Sequence, residues 1–121
     1  MRLGRDGAEF PFSLKTRTED GPGTNPEELL GAAHAGCFSM ALCNLLEEAG
    51  HEDPAVQTTA LVHLEQLPAG FTVTRVDLTT TGTVDGLDAE GFVAYAEKAK
   101  ETCTVSRLFS SVEITVSATL Q

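Results

Sequence analysis

From Leu29 to Leu46 the chain carries no Asp, Glu, Lys or Arg. Just before it stands Thr24-Asn25-Pro26-Glu27-Glu28, which reads as a helix start. Asn25 can cap, Pro26 suits the first helical position, and the two acids face the positive end of the helix. The predicted helix runs to about Ala49, where Gly50 stops it. Apolar or small residues occupy nearly every face, so this helix is expected to be buried all round. Gly31, Ala32, Ala33, Ala35 and Gly36 would let another backbone approach closely. An uninterrupted apolar run of about 18 residues is not reached, so no membrane span is expected.

The remaining elements read as follows. Residues 9–19 (EFPFSLKTRTE) are predicted to form a strand, with Phe10, Phe12 and Leu14 on one side and Ser13, Lys15 and Arg17 on the other. Pro11 suits an edge position. Two strands follow at about 55–66 and 71–81, joined by Leu67-Pro68-Ala69-Gly70. A phase shift after Val73 points to a bulge near Thr74-Arg75. A second helix opens at Asp88, with Phe92, Ala96, Ala99 and Cys103 at helical spacing, and a last strand runs from Val112 to Leu120. This order implies an α+β fold, a mainly antiparallel sheet packed on the long buried central helix and the second helix. The 121 residues suit one domain. So small a sheet cannot surround an apolar helix, but a second copy can, so a homodimer sharing its core is expected.

Composition narrows the function. The net charge of −10 argues against nucleic acid and against an anionic membrane, both of which need clustered Lys and Arg. The N-terminus lacks the apolar stretch of a signal peptide, so a cytoplasmic location is expected. Three cysteines, Cys37, Cys43 and Cys103, are an odd number and too few for a disulfide scaffold. In a reducing cytoplasm such thiols are either inert core or chemically employed.

Cys37 lies mid-helix, where the base expectation is a small core thiol. A nucleophilic role requires ionisation, and the start of its own helix is too far away to help. A cation is then needed, yet no Lys or Arg occurs between residues 18 and 74. Arg17 is the candidate that stands nearest before the helix, although a solvated strand residue would look the same. Glu27 or Glu28 could hold such an arginine, or simply complement the helix end. Cys103 ends the second helix, where a thiol can move, as a resolving partner must. Cys43 points away from Cys37 and reads as core. His34-x-x-Cys37 is too sparse for a zinc site without further pairs, and His34 as a base for Cys37 is a weaker reading than core packing.

The stretch from Gly23 to Leu42 (GTNPEELLGAAHAGCFSMAL) resembles the central helix of the OsmC/Ohr family of organic hydroperoxide reductases. Ala96 to Ser106 (AEKAKETCTVS) is similar to that family's second cysteine motif, and Phe12 to Glu19 to the strand that carries its arginine. His34 and Ser39-Met40-Ala41 favour the OsmC branch. The resemblance implies an intertwined homodimer with two active sites at the subunit interface. It implies that Cys37 is the peroxidatic thiol, Cys103 the resolving thiol, Arg17 the stabiliser of the thiolate and Glu27 the residue that positions Arg17, leaving Glu28 a bystander. It further implies reduction of organic hydroperoxides through a Cys37 sulfenic acid and a Cys37–Cys103 disulfide. Recycling falls to a small dithiol, dihydrolipoyl groups in particular, with no metal or organic cofactor. Phe38, Met40 and Phe109 are the expected apolar walls. Two departures stand out: Thr104 occupies the place of the family's proline, and residues 1–121 make a single OsmC-like domain without the usual first strand. The competing readings are a non-catalytic dimeric binding or thiol-buffering protein and, behind it, a thioesterase-like hydrolase with His34 as base.

Overall fold

The computed structural model describes residues 1–5, 7–18 and 23–121. In chain order these form α1 (Leu14–Thr18), α2 (Pro26–Glu48), β1 (Ala55–Leu67), β2 (Gly70–Thr83), α3 (Ala89–Thr102), α4 (Thr104–Leu108) and β3 (Glu113–Leu120). The fold is α+β, with a three-stranded sheet in the order β1-β2-β3. The longer ladder, β1 with β2, is antiparallel, so the sheet is mainly antiparallel as expected, whereas β2 and β3 run parallel. The reason is topological: α3 returns the chain to the end where β2 began.

Alternation along the strands builds the inner face. Val56, Thr58, Ala60 and Val62 stand opposite Gly82, Thr80, Leu78 and Val76, and Ile114 to Leu120 extend the same face. The expected bulge is present: His63 pairs with Arg75 and Leu64 with Val73, leaving Thr74 as the extra residue. α2 lies over β1 and α3 over β3, and the core between them contains Phe38, Leu42, Leu46, Val76, Leu78, Phe92, Ala96 and Ala99. Gly31 admits β1 closely, since a Cβ there would stand 3.1 Å from Val62 Cγ2. At Gly82 the fit is tighter, with Phe92 Cζ 2.6 Å from where a Cβ would be. Phe92 is fully buried and cannot swing aside. Gly82→Ala is therefore expected to destabilise the fold by about 1–3 kcal/mol, measured as a lower midpoint of chemical denaturation.

Two expectations fail. Residues 14–18 are helical, not extended. Ser13 and Thr16 exchange backbone-to-hydroxyl hydrogen bonds of 3.3 Å each way, a reciprocal cap that starts one helical turn. A three-residue alternation of Phe10, Phe12 and Leu14 is too short to compete. Glu19 and the Gly21-Pro22 part of the predicted turn lie outside the described residues.

The second failure concerns α2. Its ends are as expected, with Asn25 Oδ1 accepting from Glu28 N at 2.9 Å and Pro26 in the first turn. Only Gly31, His34, Phe38, Leu42 and Leu46 are buried, however, a single stripe at helical spacing. Met40 is 76% exposed and Leu30 41%, because three strands and one helix can cover only one side. By length and composition alone α2 would pass for a membrane span. Its buried stripe, packed on β1 and α3, is that of a core helix.

Candidate active site

Two pairs of residues define the site, and they stand apart. The first pair is built by Asn25. Its Oδ1 caps α2, and its Nδ2 donates to Thr16 O at 2.6 Å, which docks α1 on the start of α2. Thr16 Oγ1 reinforces this by donating to Thr24 O at 2.7 Å. Arg17 is thereby brought to Glu27, Nη2 to Oε1 at 3.0 Å, with its guanidinium 5.8 Å from the centroid of the Phe71 ring. Arg17 thus sits on a helix, not on the predicted strand. Glu28 instead accepts from Thr24 Oγ1 at 2.7 Å. The Arg17–Glu27 contact uses one nitrogen and one oxygen. Arg17 Nε and Glu27 Oε2 are buried without a partner among the described residues.

The second pair is Cys37 and Cys103. Cys103 closes α3 and holds the N-cap position of α4, so the backbone turns sharply at the thiol and α4 points its first N–H groups back at α2. Burial pushes the Cys37 pKa up. The Val105 N–H, the Cys103 thiol, and the Thr104 N–H and hydroxyl outweigh burial and leave Cys37 below its ordinary value. Cys103 moves the other way. Burial raises it, and its role as donor to Cys37 adds to that, against the N–H and hydroxyl of Ser106 and the N–H of Val105. The two thiols are thus shifted in opposite directions. The pair opens into an apolar cleft of about 530 Å³ lined by Ala33, Gly36, Met40, Ala41, Thr102 and Thr104.

Other expectations sort themselves around this centre. Met40 lines the cleft, but Phe38 is fully buried in the core and Phe109 packs edge-on against His34, ring centroids 5.6 Å apart. Neither is a wall. His34 Nε2 lies 2.8 Å from Ser106 Oγ, a contact that directs it away from any role as base for Cys37. Cys43 is half-buried, donates weakly to Pro54 O at 3.9 Å, and is raised by burial and by Glu47.

Sequence reasoning sought a cation for Cys37 and overlooked α4, whose single turn follows Cys103 with no apolar periodicity to announce it. The available signal was Thr104: a hydroxyl residue directly after a helix-ending thiol offers both a backbone and a side-chain donor. Thr104→Val keeps the N–H and removes the hydroxyl. It is expected to move the ionisation of Cys37 to higher pH, read as a right-shifted pH profile of thiol alkylation.

The family model described as OsmC-like protein covers residues 18–117. Over 106 residues the chain is 47% identical to peroxiredoxin OsmC of Escherichia coli (strain K12), covering 88% of this chain and 73% of that one. The chain belongs to the OsmC family. Its fold is similar to that of the organic hydroperoxide resistance protein OsmC from Legionella pneumophila, with a TM-score of 0.65 and 26% identity, covering 90% of this chain and 77% of that one. Organic hydroperoxide resistance protein OhrB of Bacillus subtilis superposes with a TM-score of 0.63 at 26% identity, over 84% and 73% of the two chains. The matched region includes Glu27, Cys37 and Cys103 and begins one residue after Arg17.

Proposed function

We propose that this OsmC-family chain is a cytoplasmic thiol peroxidase that reduces organic hydroperoxides to alcohols. The observation that carries the reading is that Cys37 and Cys103, on two different helices, line the same apolar cleft. The names of its relatives, a peroxiredoxin and two organic hydroperoxide resistance proteins, support the same chemistry. The Cys37 thiolate attacks the outer oxygen of ROOH. A sulfur–oxygen bond forms, the O–O bond breaks, and the alkoxide takes a proton to leave as ROH. Thiolate sulfur is oxidised to sulfenic acid and the peroxide is reduced. Cys103 then displaces the sulfenic oxygen as water, giving a Cys37–Cys103 disulfide, which an external dithiol such as a dihydrolipoyl group reduces by exchange. Nothing in the cycle calls for a metal or organic cofactor. The apolar lining of the cleft, Met40 included, favours an alkyl or aryl hydroperoxide over hydrogen peroxide.

Arg17 and Glu27 enter this scheme through a homodimer. Ten residues of α2 separate Glu27 from Cys37, a rise of about 15 Å. Two α2 helices crossing antiparallel about a twofold axis near Ala32 would place Arg17 and Glu27 of the partner subunit beside Cys37. The exposed residues at such a crossing are Ala32, Ala33 and Gly36, small enough for close approach, and Leu30 and Met40 flank them. The same contact would cover the side of α2 that a single chain leaves bare.

The test is consumption of cumene hydroperoxide by the wild-type protein with dihydrolipoamide as reductant. Rapid loss that depends on the dithiol is the expected result. No loss, with all three thiols still free after one equivalent of hydroperoxide, would reassign the protein as a binding or thiol-buffering member of its family.

A further inference from the structure

A phenylalanine that leaves nearly half its surface in water forgoes much of what its burial would contribute. Phe71 does so on the inner side of the sheet. It is the second residue of β2, directly after Gly70, whose φ of 127° turns the hairpin. Pairing of Leu64 with Val73 and of Gln66 with Phe71 puts it on the same side as Val73, two residues on. Val73 packs against the core, whereas Phe71 is 46% exposed. What Phe71 meets is the guanidinium of Arg17, 5.8 Å from its ring centroid and so within reach of a cation–π contact.

Arg17 is thus held by two groups of different kinds. From α2, Glu27 Oε1 takes Nη2 at 3.0 Å, and from β2, Phe71 offers its ring. Glu28, the other acid of the first turn of α2, is engaged by Thr24 Oγ1 at 2.7 Å. A second carboxylate on Arg17 would cancel its charge and take more of its N–H donors. An aromatic ring attracts the cation through its quadrupole and carries no net charge, so Arg17 stays cationic while it loses freedom to move.

We infer that Phe71 is a positioning residue for Arg17, fixing the guanidinium so that its charge meets the reacting thiol and peroxide at a constant place. The inference rests on the reading above in which Arg17 serves a Cys37. As the thiolate attacks ROOH, negative charge passes to the leaving oxygen, and a cation already in place stabilises it without reorganising. An arginine side chain held by Glu27 alone keeps several rotamers, and a displacement of about 1 Å costs much of that effect. Phe71 is not among the residues lining the cleft at Cys37 of its own chain, so its link to the reaction runs through Arg17.

Single turnover without reductant tests this role, read as the second-order rate of Cys37 oxidation by cumene hydroperoxide and by tert-butyl hydroperoxide. Phe71→Ala is expected to slow both by about tenfold. Phe71→Leu keeps apolar bulk at this exposed position but has no π face. It is expected to slow both as much, and it decides the matter should the alanine variant not fold. Phe71→Tyr, which keeps the ring, stays within about twofold of the wild type. In an Arg17→Ala background Phe71→Ala adds less than about twofold, because the group it positions is gone. A wild-type rate in Phe71→Leu, a full further loss in the Arg17→Ala background, or a loss confined to cumene hydroperoxide overturns the inference and leaves the peroxidase reading intact. A wild-type Cys37 that neither hydroperoxide oxidises overturns the peroxidase reading and the inference with it.

Discussion

Cys37→Ser is expected to consume no organic hydroperoxide above background. The loss is large because an unassisted serine hydroxyl is almost entirely un-ionised at neutral pH, and deleting a nucleophile costs more than about 10⁴-fold in rate. The donors gathered at Cys37 do not rescue it. The Val105 and Thr104 N–H groups stabilise a charge already accessible to a thiol, and their effect is a shift, not a new ionisation. Cys103→Ser is expected to behave differently. It keeps the attacking thiol and its cleft, so one equivalent of hydroperoxide per site is consumed and the protein gains one oxygen on Cys37. Turnover then stalls, because no second sulfur stands beside the sulfenic acid. Intact mass before and after one equivalent separates the two variants. Full turnover by either would falsify the two-cysteine scheme.

The sequence revealed these roles unevenly, for physical reasons. α2 was legible because its signals are local: Asn25, Pro26 and two acids at one end, Gly50 at the other, and apolar content between. The inner face of β1 and β2, and even the Thr74 bulge, were legible because a period of two is hard to mimic over so many residues. α1 was misread because its helix rests on the Ser13–Thr16 cap, a pair of hydrogen bonds in a segment otherwise patterned like a strand. α4 went unseen because one turn has no period to detect, although it supplies the donors that a search for cations could not find. The exposure of α2 has another origin. Charge-free patterning says that a surface avoids water, but not whether its own chain or another chain covers it.

The separation of the two pairs leads to the second large effect. Arg17→Ala is expected to lower hydroperoxide consumption by about 10²–10³-fold, the usual scale for removing a charge stabiliser from a reacting centre. By itself this loss does not say which subunit's arginine acts. Co-expression of Arg17→Ala with Cys37→Ser does. In the proposed homodimer, each variant alone gives two defective sites. In a mixed dimer, the Arg17→Ala chain contributes an intact Cys37, and the Cys37→Ser chain contributes an intact Arg17–Glu27 pair. If the pair acts across the interface, that combination makes one complete site, and the facing site lacks both parts. Random pairing makes half the dimers mixed, each with one working site of two, so about a quarter of wild-type activity should return. If the pair acted within its own chain, no dimer would contain a complete site and nothing would return. The rise of about 15 Å between Glu27 and Cys37 on one continuous helix favours the first result. A return of activity would place Arg17 of one subunit at Cys37 of the other, as an antiparallel crossing of the two α2 helices near Ala32 requires.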